Sequence, residues 1–307
     1  MRKSFYLLAE KIDISSAETA SPSKISDYIQ FAKLRLASLV VFSAVICYII
    51  ASKGDFTWNI IGWLTLGGFL VTAGSNGFNQ VIEKDLDKLM TRTMNRPLPQ
   101  NRMSVMEGLI VASVMGISGV IILYKFLNPL TGILGFIAML LYSIVYTPLK
   151  RKTPLAVFVG AFPGAMPPLI GWVGYSGQID VSALTVFTIQ FMWQFPHFWA
   201  IAWRLHEDYQ KAGFKMLPSA GGKDKKSAMQ IFIYAMFLIP ISLLPGIFME
   251  SGWVYAIIAL LSGAVFAWQS YVLLMKCDDA SATKLMFGSF LYLPIVQLAL
   301  LIDFYLK

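Results

Sequence analysis

Charge is what this chain has least of. Asp, Glu, Lys and Arg together make up 14% of its 307 residues, against roughly a quarter in soluble domains. Cysteine and histidine are equally sparse, at two each. Cys47 and Cys277 fall in or beside apolar stretches without CxxC spacing, which argues against a zinc motif, a dithiol redox pair or a disulfide framework. The first apolar patch, Phe5 to Leu8, is far too short for a cleavable signal, and Glu10, Asp13 and Glu18 argue against a mitochondrial transit peptide. What fills the chain instead is apolar, with 57% hydrophobic residues.

Those residues fall into runs long enough to cross about 30 Å of hydrocarbon. Nine are expected, at roughly 36–52, 58–82, 104–124, 129–147, 155–174, 180–203, 228–248, 253–275 and 284–304. This is an all-α polytopic membrane protein with nine transmembrane helices. Residues 1–24 read as a polar, flexible cytoplasmic segment and 25–307 as one membrane-embedded domain. Lys24 to Leu36, apolar at Ile25, Tyr28, Ile29, Ala32 and Leu36, suits an interfacial helix feeding the first span. With a cytoplasmic N-terminus, all 25 Lys and Arg residues except Lys53, Lys125 and Lys307 lie on the inside. The net charge of +8 is therefore a topology signal and needs no nucleic acid partner.

Asn79, Glu83 and Asp87 recur every fourth residue at the end of the second run. Each step advances about 40° around a helix, so the three share one stripe, while Asp85 falls on the opposite side. Two carboxylates and an amide oxygen stacked on one face repel unless a cation sits among them. Mg²⁺ takes a few oxygen ligands plus substrate phosphates, and the guanidinium forks of Arg92 and Arg96, which follow, grip phosphate oxygens. The stripe therefore suits a magnesium-bound diphosphate. The competing interpretation is a solvated acidic helix end, partly neutralised by Lys84 and Lys88.

A second basic loop, 204–226, carries Arg204, Glu207, Asp208, Lys211 and Lys215. Pro196 is expected to kink the helix before it, turning His197 and Trp199 towards a cavity. His197 suits either that role or a satisfied interfacial histidine, and His206 reads as a surface residue. Lys150 and Arg151, in the short loop after the fourth run, serve as positive-inside anchors, as site cations, or as both.

Asn79-xxx-Glu83-xxx-Asp87-xx-Met90-x-Arg92-Thr-xx-Arg96-Pro-Leu resembles the first Asp-rich motif of the UbiA-type intramembrane prenyltransferases. The Glu in the middle, Tyr146-Thr-Pro-Leu-Lys-Arg-Lys-Thr, Pro196-His-Phe-Trp and Asp208-Tyr-xxx-Gly-xx-Met-Leu-Pro narrow the resemblance to the protohaem IX farnesyltransferase branch, from about Phe31 to Leu306. Two departures are Lys33-Leu34-Arg35, where relatives often have Pro between the charges, and Lys215, where they often have Pro. The resemblance implies a UbiA-type bundle in a bacterial cytoplasmic membrane. It implies Mg²⁺ held by Asn79, Glu83, Asp87 and Asp208 against farnesyl diphosphate. Arg92, Arg96, Lys150 and Arg151 would bind the diphosphate, and His197 would orient protohaem IX, with iron ligation left open. Haem A synthase or oxidase assembly factors are the implied protein partners.

Two rivals stand beside this. One is a relative that prenylates a quinone precursor or a chlorin. The other is a transporter, which would place ionisable groups near the bilayer midplane, whereas Glu107, Asp180 and Asp303 lie towards span ends.

Overall fold

The computed structural model describes residues 23–306, so most of the polar N-terminal segment and Lys307 lie outside the described residues. Among the described residues there is no strand. A short helix α1 (Lys24–Ala32) leads into nine long ones: α2 (Leu34–Ser52), α3 (Trp58–Ile82), α4 (Val105–Phe126), α5 (Pro129–Leu140), α6 (Ala156–Ser176), α7 (Val181–Arg204), α8 (Lys225–Ser242), α9 (Trp253–Lys276) and α10 (Asp279–Tyr305). They stand where the apolar runs put them. The expected single helix over 24–36 is instead divided, because Lys33 adopts a left-handed conformation between α1 and α2.

Seven of the long helices are apolar enough to read as spans on length and composition alone. The two that fall short are α3 and α7, which carry Asn76, Asn79 and Gln80, and Gln190, Gln194 and His197 respectively. Polar side chains lower their hydropathy, and both are held inside the bundle. Here α3 packs along α4, and α7 is surrounded by α6, α8 and α10.

Small residues permit the closest of these contacts, as is usual where lipid supplies no hydrophobic drive between helices. A Cβ on Gly74 of α3 would stand 2.7 Å from the Gly116 backbone of α4, and one on Gly119 would stand 2.6 Å from the Val71 nitrogen. The opposite face of α4 shows Ile110, Val114, Ile117 and Ile121, all exposed and three or four residues apart. Such a stripe suits lipid contact.

Helix ends are capped where polar chain must leave the apolar layer. Ser104 and Glu107 form a reciprocal capping box on α4. Asp180 caps α7 through the Ala183 amide at 2.7 Å, and Asp303 accepts from the Gly252 and Tyr255 amides at the start of α9. These three acids, which lie towards span ends, are thus engaged in capping.

Candidate active site

The acidic stripe forms, though not on one uninterrupted helix. α3 ends at Ile82, Glu83 leaves helical geometry (φ −96°, ψ 11°), and a single turn covers Lys84–Asp87. The Glu83 amide still donates to the Asn79 carbonyl at 2.9 Å and the Asp87 amide to the Glu83 carbonyl at 2.8 Å, so the fourfold spacing survives the break. Asn79, Glu83 and Asp87 are all buried. Asp85 points outward as expected and pairs with Lys88 at 2.8 Å.

Cations meet both buried acids. Arg96 donates to Asp87 Oδ2 at 2.7 Å. Lys150 Nζ lies 2.5 Å from Glu83 Oε1, an ion contact without hydrogen-bond alignment. Lys150 also sits 5.1 Å from the Tyr146 ring centre and 5.2 Å from that of Phe214. Its delivery depends on the end of α5, which widens into a π-helical segment, Leu141–Tyr146, before the turn Thr147–Leu149. Thr147 Oγ1 donates back to the Tyr142 carbonyl at 2.8 Å and receives Asn79 Nδ2 at 3.1 Å. Widened turns of this type are often functional. Burial lowers the Lys150 ammonium pKa, and Glu83 opposes that shift.

Asp87 Oδ1 is buried with no donor, and Glu83 Oε1 has an ion partner but no aligned donor. With the Asn79 carbonyl oxygen, freed because the amide donates through Nδ2, these are hard oxygen ligands of the sort Mg²⁺ takes. The donor set fits that ion. Among the described residues, however, no three His, Cys, Asp or Glu side chains converge as a preformed cage. The geometry suits a cation that arrives with its own phosphate oxygens.

Asp208 stands apart from this trio. Its oxygens accept from the Thr91 amide at 3.1 Å, the Arg92 amide at 3.0 Å and Lys211 Nζ at 2.9 Å. Burial works against its charge, yet these donors hold its carboxyl well below the usual carboxylate range. It clamps the loop that carries Arg92, and its Oδ2, which accepts from the Arg92 amide alone, keeps a lone pair for a further partner. Arg151 is exposed, with its Nε near Gly213, and does not join the cluster.

His197 also lies elsewhere, on the seam between α7 and α10. Its ring stacks on Trp193 at 4.3 Å, and Nδ1 meets Ser289 Oγ at 2.7 Å. Ser289 donates its one proton to the Met286 carbonyl at 2.6 Å, so Nδ1 must donate and Nε2 keeps its lone pair. The expectation that Pro196 turns His197 and Trp199 towards one cavity is corrected here. α7 runs through Pro196 as one helix, and Trp199 packs on Phe195 and Tyr234 rather than beside His197. Two positions apart on a helix are about 200° apart, so one bend cannot aim both at the same space.

Two polar groups near the trio were not named as site residues from the sequence. Asn76 is buried one turn before Asn79, and Lys33 Nζ reaches its Oδ1 at 3.5 Å. The signal for Asn76 was its place on the Glu83 stripe. Lys33 stood out only as part of the basic segment Lys33-Leu34-Arg35, because its direction depends on the α1–α2 break.

The model of the UbiA prenyltransferase family matches residues 40–293. The chain belongs to this family. Within it, the protoheme IX farnesyltransferase of Cytophaga hutchinsonii is 46% identical over 283 residues, covering 92% of this chain and 98% of that one. The protoheme IX farnesyltransferase of Christiangramia forsetii is 44% identical over 293 residues, covering 94% and 96%. The chain is thus a multi-pass membrane prenyltransferase of the protoheme IX farnesyltransferase branch. The fold agrees with that of a solved digeranylgeranylglyceryl phosphate synthase at TM-score 0.77 and 20% identity, covering 92% of this chain and 99% of that one. It agrees with that of a UbiA homologue from Archaeoglobus fulgidus bound to GPP and Mg²⁺ at TM-score 0.64 and 13% identity, covering 90% and 99%. For this UbiA-family chain, the acidic stripe therefore sits on a prenyltransferase fold.

Proposed function

We propose that this chain transfers the farnesyl group of farnesyl diphosphate to a vinyl group of protohaem IX, with addition of water, giving haem O for haem-copper oxidases. The observation that carries the diphosphate half is the buried Glu83–Asp87 pair, short of donors and flanked by Lys150 and Arg96. The haem half is supported by the names of the relatives. The site is assigned to the cytoplasmic mouth of the bundle in a bacterial inner membrane, because all Lys and Arg but three fall on that side. Residues 25–307 act as one membrane-embedded domain. An alkaline phosphatase fusion after Gly54 should be active and one after Asn101 inactive; the reverse would overturn the orientation.

Asn79, Glu83 and Asp87 would hold the magnesium diphosphate. Asp208 contributes by fixing the Arg92 loop, and the spare lone pair of its Oδ2 would let it join the metal set. Mg²⁺, when bound, neutralises the diphosphate as a leaving group. Arg96, Lys150 and Arg92 take up the charge that grows on the departing oxygen, with Arg151 at the rim. As the C–O bond breaks, the allylic cation lies between apolar helices that exclude water until transfer. Its first carbon alkylates the vinyl group, and water captures the resulting cation, its released proton passing to the freed diphosphate. His197 orients the haem, its Nε2 lone pair suiting iron. The product passes to haem A synthase or an oxidase assembly factor.

Purified protein given haem B, farnesyl diphosphate and Mg²⁺ should yield a haem heavier by one farnesyl and one hydroxyl, with the hydroxyl oxygen taken from labelled water. A prenylated phenol formed while haem stayed unmodified would falsify the haem assignment and keep the diphosphate site. Turnover that survives chelation of the metal would undo the assignment of Asn79, Glu83 and Asp87.

A further inference from the structure

Lys33 occupies an uncomfortable position. At φ 52° and ψ 57° it holds a left-handed conformation that glycine adopts freely and lysine does not. Its ammonium is turned inward to Asn76 Oδ1 at 3.5 Å, and among the described residues no carboxylate lies within salt-bridge distance of it. Arg96, Lys150 and Arg92 act on it as like charges, and Glu83 opposes them. Burial first, and then Arg96 and Lys150, push its pKa down to about 7. Asn76 adds a second, independent sign. It is 2% exposed, and its Nδ2 is a buried donor with no acceptor. Two donors thus meet beside one turn of α3, the Asn76 amide with no acceptor and the Lys33 ammonium with only the Asn76 oxygen.

The surroundings fix this arrangement. Gln80 Nε2 donates to the Phe31 carbonyl at 2.7 Å, tying the end of α1 to α3 two residues before Lys33. At the other end, buried Asp27 pairs with Arg102 at 2.9 Å, and Arg102 Nη2 donates to the Asn95 carbonyl at 3.0 Å. Helix α1 is thereby fastened to the loop that delivers Arg96, so Lys33 and Arg96 hold fixed places relative to each other.

We propose that Lys33 and Asn76 form a further anion subsite, which takes a phosphate oxygen of the isoprenoid diphosphate. This rests on the diphosphate site proposed above and extends it by two residues on the α1 side. An arriving phosphate supplies the missing acceptor for Asn76 Nδ2 and the missing counter-charge for Lys33. The backbone strain at Lys33 is then the consequence of aiming a cation at the site from a tight helix junction.

The test is equilibrium binding of radiolabelled inorganic pyrophosphate, with Mg²⁺, to the purified full chain and two variants. Lys33→Gly removes the cation and relieves the left-handed backbone, so it should unfold at the same or a higher temperature while binding pyrophosphate about tenfold more weakly or worse. Asn76→Asp keeps the shape but places a carboxylate beside Lys33 and against the phosphate, and should weaken binding at least as much. The KM for haem should stay unchanged in both, and Lys33→Arg should recover most of the affinity. Wild-type affinity in both variants would overturn this inference and leave the diphosphate site intact. Failure of the unaltered chain to bind pyrophosphate would instead overturn the diphosphate site itself, and the subsite with it.

Discussion

Asp87 and Arg96 are joined at 2.7 Å, yet their loss should be unequal. The Asp87 side chain is 0% exposed and that of Arg96 12%. Arg96→Met leaves a buried carboxylate with no cation, a situation that typically costs about 3–5 kcal/mol. Asp87→Asn leaves a guanidinium with a route to solvent, and the new amide still accepts from it, so about 1–2 kcal/mol is expected. Activity should rank the other way in severity relative to stability. Asp87→Asn removes a charge facing the metal and should lower kcat/KM by about 10³ or more, equivalent to about 4 kcal/mol of transition-state stabilisation. Thermal unfolding in one detergent, with and without Mg²⁺ and pyrophosphate, measures the first effect, and haem product by mass spectrometry measures the second. Mg²⁺ with pyrophosphate should stabilise Arg96→Met less than the unaltered chain, since the variant lacks one of the cations that take up diphosphate charge. Equal destabilisation by the two variants, or near-normal turnover in Asp87→Asn, would refute the picture of Asp87 as a buried ligand held ready by Arg96.

Asp85→Asn should leave turnover within a few-fold of normal, because that side chain is 84% exposed and faces Lys88; if it were the most sensitive of the three acids, the stripe would be misplaced. Asp208→Asn keeps an acceptor but loses its charge, and should raise the KM for farnesyl diphosphate roughly tenfold by freeing the Arg92 loop. Its depressed pKa means the clamp is fully present above the ordinary aspartate value and is lost only as pH falls through the lower folded value. Protease nicking in 91–96 should therefore stay constant from pH 8 to 5 in the unaltered chain and rise in the variant at every pH.

The helix plan was readable because it needs only composition: runs of apolar residues and the basic loops between them place α2 to α10. The stripe was readable because Asn79, Glu83 and Asp87 are local, and a fourfold spacing keeps its meaning even when the helix breaks at Glu83. The contacts that escaped, even for Lys150 and Asp208, which the family resemblance had already named, depend on the tertiary path. Lys33 enters the site through a left-handed residue between two helices. Lys150 reaches Glu83 because a π segment widens the end of α5. Asp208 turns to backbone amides 116 and 117 residues away, which no spacing rule reveals.

The same distinction explains why hydropathy alone finds seven spans. A helix inside a bundle can carry amides if other helices satisfy them, and α7 does so away from the proposed chemistry. Gln190 Oε1 receives Ser43 Oγ at 2.7 Å and Gln297 Nε2 at 3.2 Å, and its Nε2 donates to the Gly164 carbonyl at 2.7 Å. One side chain thus links α2, α6, α7 and α10. Gln190→Leu makes α7 more apolar, yet it should destabilise the bundle. Three interhelical bonds at ~0.6 kcal/mol each come to about 2 kcal/mol, and the Gly164 carbonyl is left with one acceptor site unfilled. Unfolding in mixed micelles of increasing SDS content reads this directly. A leucine variant as stable as the unaltered chain would mean that these amides do not hold the helices together, and that the polarity of α7 is kept for contact with substrate instead.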